Sequence, residues 1–417
     1  MRSFKKILKW TFIVVGGLVA ILLIVNAFLV WNTDARLDRR LAEIKAAGEP
    51  VSLADLRHKP IPPERDAVTY LRRAWDDLLG IRDEINTAAK ASGDDWECPA
   101  VRDATRSAVA AYPDVIPLLE KAANCPEYSA TEDLHVFDMN DPRAAMEALL
   151  SRTQENREVA RLLGSYWPAA LLAEDKRDEA ARSAITTLKL TRHFDHEPCL
   201  VSMLVAIACR GIALSSLNDA LQSGPVSNEV RHELERELAK HDLKGAFHQN
   251  LLTERVYGLE SFRNFPGESN WFARALFNRW KLNYLDIMAW HLANTQAGVS
   301  PGARPEASNP VCSLLEPSIE ATYTAIARTQ SMVNAVRVLN ALQQRDDPDA
   351  LPAADLSDLG LPKEATLDLF TDKPLIVKKV PSGWLIYSVG QDLQDDGGQI
   401  GDDDNEMLDY GIAPTTK

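Results

Sequence analysis

The chain has 417 residues, room for two or three domains. With 46% hydrophobic and 25% charged residues it has the composition of folded protein, which excludes global disorder. The net charge of −14 argues against nucleic acid as a partner, and more than half of it comes from eight acidic residues between Asp392 and Asp409.

The first nine residues carry Arg2, Lys5, Lys6 and Lys9 and no acid. Residues 10–31, WTFIVVGGLVAILLIVNAFLVW, are uncharged and begin and end on Trp. At a rise of 1.5 Å per residue this run makes a helix about 33 Å long, enough to cross a bilayer core. Trp10 and Trp31 suit the two interfaces. Beyond the run stand Arg36, Arg39, Arg40 and Lys45, so the basic residues on the two sides balance at four each. The short, wholly basic leading tail favours an N-terminus inside the cytoplasmic (inner) membrane and a body outside it. The run then acts as a signal anchor. It is long for the core of a cleaved signal peptide, and no clear A-x-A site follows.

From Asp34 to about Asp346 the apolar residues recur with helical period. Pro62-Pro63 is expected to open a helix with Ala67, Tyr70, Leu71, Ala74, Leu78 and Ile85 on one face. Asp141-Pro142 is expected to open another, reaching Leu171-Leu172, with Asp141 as N-cap. A break at AEDKRDEAA leads into a further helix ending near His193. This helix–turn–helix around Asp175 resembles one tetratricopeptide unit; a solenoid needs several, so an isolated hairpin is expected. Residues 197–222 read as a central, buried helix. Helices are also expected from Ser227 and over 243–264, 270–295 and 317–345. Leu188, Leu204 and Ile207 are expected in the core. The expected organisation is a basic tail (1–9), a transmembrane helix (10–31), a helical body (32–296), a Pro-rich linker (297–311) and a C-terminal unit (312–417).

Several residues invite a functional reading. His193 and His196 in RHFDHEP are spaced to share a metal on a helix, but a helix end stopped by Pro198 explains them more simply. Glu254-Arg255 reads as part of a buried ion pair or network rather than a catalytic pair. Trp271, Phe272, Phe277, Trp280, Tyr284 and Trp290 form an aromatic cluster, with core packing the default and a membrane-facing surface the alternative. The five cysteines include no CxxC pair; Cys199 and Cys209 read as buried thiols, while a bridge between Cys98 and Cys125 stays open. No GxSxG, HExxH, P-loop or GxGxxG motif is present.

After residue 350 the character changes. PLIVKKV and GWLIYSV, split by Pro381-Ser382-Gly383, read as a β-hairpin. An acidic, Gly-rich tail follows: Asp392, Asp395, Asp396, Gly397, Gly398, Asp402, Asp403, Asp404 and Glu406. The order of DLFTDKPLIVKKV and GWLIYSVGQDLQDDGG resembles the C-terminal part of the major pseudopilins of type II secretion. The matching pieces are Asp368, Phe370, Lys373-Pro374, Tyr387 to Gly390, Asp392 and Asp396 to Gly398. The likeness covers residues 312–417 only, and no prepilin peptidase site precedes the apolar run. The whole chain also resembles a set of uncharacterised membrane-anchored proteins of planctomycete-type bacteria, in which a helical body (LTRHFDHEP, LLTER) carries this ending. The resemblance implies a calcium loop. Asp392, Asp396, Asp402 and Asp404 are its expected metal ligands, with Asp409 outside the set; a solvated acidic tail is the alternative.

The fold class expected is mainly α: one N-terminal transmembrane helix, an extracytoplasmic multi-helix body and a small C-terminal α+β hairpin unit. The function expected is non-enzymatic scaffolding or protein interaction at the cell envelope, with the lipid bilayer as one partner and envelope or secretion-system proteins as others. Two further readings stand beside it: a component contacting type II secretion or pilus machinery, and an envelope hydrolase with dispersed catalytic residues.

Overall fold

A computed structural model of the chain describes residues 2–56, 60–129, 142–263, 265, 267–296, 302–345, 347, 350–400 and 409–414. The fold is mainly helical, with a small antiparallel sheet near its C-terminal end. It divides into two units. The first joins Met1–Arg57 to Leu251–Pro317, and the second joins His58–Asn250 to Ser318–Lys417. The stretches 32–296 and 312–417 each contribute to both.

In the first unit, α1 is one continuous helix, Arg2–Ala46. Its apolar side chains from Trp10 to Val25 stand exposed, Phe12 at 74% and Leu22 at 66%. Beyond them the exposure pattern changes. Val30, Leu37 and Ile44, seven residues apart, are buried, with Thr33 beside them. The partner is α11 (Arg274–Thr295). Asn278 donates to Thr33 Oγ1 and Asp34 Oδ1, Arg274 pairs with Asp34, and Arg40 lies 3.6 Å from Asp286. The C-terminal part of α10 (Leu243–Arg263) packs on α11 where Gly258 leaves room for the Tyr284 ring; a Cβ there would collide with the tyrosine hydroxyl. Tyr284 donates to the Glu254 carbonyl. Arg255 is an interior cation, paired with Glu49 at 2.6 Å and donating to the Pro50 carbonyl, in line with the ion-pair reading. Helix α12 (Pro310–Leu342) starts in this unit, seven residues before the expected 317, and carries Pro317 within it.

In the second unit the helices are α2 (Ala67–Ala91), α3 (Pro99–Ala111), α4 (Val115–Asn124), α5 (Pro142–Arg161), α6 (Trp167–Leu172), α7 (Arg177–Phe194), α8 (Cys199–Gln222) and α9 (Asn228–Leu238). Helix α2 starts later than Pro62-Pro63 suggested. Asp66 is its N-cap: Oδ1 accepts from Val68 N and also from Ser129 N. The expected N-cap Asp141 lies outside the described residues. A wide turn, Leu162–Tyr166, separates α5 from α6 where one helix was expected. Pro168 removes a donor from the next turn, and the carbonyls of Leu163 and Gly164 are instead taken by Ser183 and Ser216. Between α6 and α7 the chain turns at Asp175, φ 64°. Leu188 and Ile207 are buried as expected, but Leu204 is only partly so, because α8 turns a narrower face inward at that point.

One core gathers α2, α3, α4 and the end of α7. The other gathers α7, α8, α9, the C-terminal part of α12 and the sheet. The sheet has the order β1 (Ile376–Val380), β2 (Gly383–Ser388), β3 (Tyr410–Ile412), both pairings antiparallel. The hairpin is the one the sequence indicates. Strand β3 was read as tail. Its Gly411 lies so close to β2 that a Cβ would strike the Ile386 carbonyl. Gln222 fixes the sheet to α8 by exchanging two hydrogen bonds with the Trp384 backbone. All five cysteines are free thiols, Cys98 and Cys125 among them.

Candidate functional site

The end of β2 is pinned from below by Asp368. Its Oδ1 accepts from Ser388 Oγ and Phe370 N, and its Oδ2 from Val389 N. The chain then turns at Gly390, φ 72°, into the acidic segment. Asp392 caps a local turn by accepting from Gln394 N. Asp395 accepts from Gly397 N and from the Tyr387 hydroxyl, 2.8 Å, while Lys378 bonds that hydroxyl from the other side. Burial and the adjacent Asp395 push the tyrosine's pKa up, so it stays a phenol and a donor.

The segment closes on Asp409, the residue before β3. Its side chain is fully buried. Oδ2 accepts from Gly398 N at 2.7 Å, and Oδ1 has no hydrogen-bond partner by distance and angle among the described residues. Gly398, φ 87°, allows that approach. Burial raises the Asp409 pKa, and the nearby Asp395 and Asp396 raise it further. The Asp396 backbone and Gly398 N stabilise the carboxylate, but a buried carboxylate near other acids remains a place for a proton or a cation.

Of the expected ligands, Asp392 and Asp396 lie on this turn, and Asp402 and Asp404 lie outside the described residues. Asp409, which the sequence set aside, is the carboxylate that the fold buries. Among the described residues, no group of three or more His, Cys, Asp or Glu side chains is arranged to hold a metal ion. That holds for His193 and His196: His193 stacks on Tyr128, ring centroids 5.6 Å apart, while His196 is exposed.

A second polar cluster was not read as such from the sequence. It sits at the α7–α8 corner, residues 192–199. Glu197 is buried with Arg152 Nε at 2.6 Å and the Tyr128 hydroxyl on the same oxygen. Burial raises the pKa of both Glu197 and Tyr128. Asp195 pairs with the wholly buried Arg210 at 2.6 Å. Arg210 Nε donates to His241 Nδ1, which must therefore be unprotonated; burial and that guanidinium hold His241 neutral, its pKa well below the usual range. Glu237, equally buried, takes Arg192 at 2.6 Å. The corner itself is tight: Cys199 has φ 72°, and Asn250 donates to the carbonyls of Glu197 and Cys199 on either side of Pro198. The signal available in the sequence was the density of charge in TRHFDHEP beside two strongly apolar helices. Every acid in the corner has a cationic partner, which is the arrangement of a structural knot.

Comparison with protein-family models, with curated proteins and with solved structures finds no match.

Proposed function

We propose that the chain is a single-pass membrane protein with its N-terminus inside. In this reading α1 crosses the cytoplasmic membrane, and the body and C-terminal unit serve outside it as a scaffold or interaction module without catalysis. The observation that carries the reading is the state of α1. Among the described residues, two helices are long and apolar enough to span a membrane. Only 6% of the apolar window in α1 is buried by protein, against 56% for α8. An apolar surface of that length left bare in water is strongly unfavourable, and lipid removes the penalty. The paired acids of the α7–α8 corner support a non-catalytic body. The test is extraction of membranes at alkaline pH: the full chain stays with the lipid and a chain lacking residues 1–31 is released. Release of the full chain contradicts the reading.

The C-terminal turn in this proposal holds calcium. The orphaned Asp409 Oδ1 fits a cation, and calcium takes six to eight oxygens from carboxylates and carbonyls of such Gly-rich turns. Asp409 would offer the ion Oδ1, and Asp392, Asp396, Asp402 and Asp404 are the ligands that the pseudopilin resemblance implies; Asp392, Asp396 and Asp409 do not by themselves form a metal-holding group. The ion would convert mutual repulsion among these acids into a closed turn behind β2 and β3. At a hundredfold excess over Kd, calcium then stabilises the protein by about 2.7 kcal/mol. Asp409→Asn keeps the shape and the bond from Gly398 but removes the charge, and it abolishes that gain. Calorimetry showing no calcium binding at millimolar metal, or undiminished binding by Asp409→Asn, sinks the proposal.

A further inference from the structure

The turn between α10 and α11 carries apolar side chains that the fold leaves outside. Trp271, Phe272 and Leu276 are 40%, 63% and 49% exposed, and Trp271 and Phe272 pack edge to face against each other. Behind them Phe277 is buried and packs at 5.1 Å on the half-buried Trp280, with the partly exposed Phe265 against both. The outer three have no such role.

Their height along α1 is fixed by a hydrogen bond. Asn26 Nδ2 donates to the Trp271 carbonyl at 3.2 Å. Asn26 is the one strongly polar side chain within the apolar run 10–31. It stands five residues before Trp31, which is about 7.5 Å along a helix axis. Higher up, Asp34 meets Arg274 and Asn278, so the turn lies lowest and α11 climbs away from it. Phe28 and Trp31 of α1 are themselves exposed at 60% and 67%, beside the same level. Arg263, Arg274 and Arg279, near the apolar group in sequence, are exposed, Arg263 paired with Glu260 and Arg274 with Asp34. Exposed apolar and aromatic side chains with arginines close by in sequence, about 5–10 Å below the edge of the hydrocarbon, make the pattern of an interfacial anchor. The bond to Asn26 also gives a partner to a polar group that would otherwise face lipid alone.

We propose that Trp271, Phe272 and Leu276 at the tip of the α10–α11 hairpin are seated in the lipid interface alongside α1, so that the first unit grips the membrane at two places. This rests on α1 being the membrane span. Two attachments side by side fix the tilt and rotation of α1 against its unit, where one helix alone would swivel.

The test uses the full chain in phosphatidylglycerol-containing vesicles, with a fluorescent amino acid placed genetically at 272. The same probe at Leu18 and at Trp96 reports the span and the water-exposed surface of the other unit. Quenching by brominated lipids and by aqueous iodide is then measured. The expected result is deep bromolipid quenching at 18, shallow bromolipid quenching with little iodide access at 272, and iodide quenching alone at 96. Probe 18 in lipid with 272 open to iodide overturns the second attachment and leaves the span standing. Probe 272 closed to both quenchers means that protein covers the tip, which also overturns it. Iodide access at 18 removes the span and this inference together. Leu276 as a second probe site guards against a local effect of replacing Phe272 and is expected to match it.

Discussion

His193 shows how one side chain is set by its surroundings. It is largely buried against Tyr128, and burial, with Arg192 and His196 adding to it, lowers its pKa to about 4. An unfolded histidine titrates near 6.5. Between those values the unfolded chain binds the proton and the folded chain does not, so stability falls as pH drops from about 6.5 to 4. The loss attributable to His193 is no more than roughly 3 kcal/mol. His241 acts in the same direction, while Asp195 and Glu197, raised by burial, act in the opposite one. The comparison that isolates His193 is therefore the difference between the parent and His193→Phe, which keeps the stack on Tyr128. Denaturant unfolding at pH 7 and pH 4.5 is expected to show a smaller acid loss in the variant. An equal loss in both contradicts the assignment. Asp409 makes a parallel case in the sheet unit, since its burial follows from the pairing of β3 with β2 and from the Gly398 turn. Nothing local to LDYGI distinguishes it from the other seven acids, and that is why the sequence set it aside.

At the scale of elements, the face that each helix buries decides the effect of substitution. Leu188 is wholly buried among residues of α7 and α8, whereas Leu204 is partly exposed. Leu188→Ala is expected to destabilise by roughly 2–5 kcal/mol and Leu204→Ala by clearly less. Equal losses in chemical denaturation would mean that α8 is rotated from the position described. The long helices were legible because their apolar period persists over many turns, as in α2, where Leu78 and Ile85 fall on the buried face. The β1–β2 hairpin was legible from two β-branched runs about Pro381-Ser382-Gly383. What escaped were short or non-local features. Helices α3 and α4 span three or four turns each, and neither Cys98 nor Asp114 caps its helix with a side-chain hydrogen bond. The start of α2 depends on Asp66 meeting Ser129, 63 residues away. Strand β3 has three residues and exists only because β2 offers an edge. The knot at the α7–α8 corner needs Arg152, Arg210 and His241 from three other places in the chain.

At the scale of the whole molecule, α1 belongs to the first unit, and the second unit carries the C-terminal sheet and its acidic turn. In the proposed topology the chain that follows α1 lies outside the cytoplasm. Lys and Arg balance on the two sides of the apolar run, so the orientation rests on the short, wholly basic tail before Trp10. The placement of the acidic turn outside the cytoplasm follows from that orientation. The most direct measurement is a pair of reporter fusions made just after residue 60, one to an enzyme active only outside the cytoplasm and one to an enzyme active only within. The orientation proposed predicts activity of the first and silence of the second. Activity of the cytoplasmic reporter, with the external one silent, would contradict it.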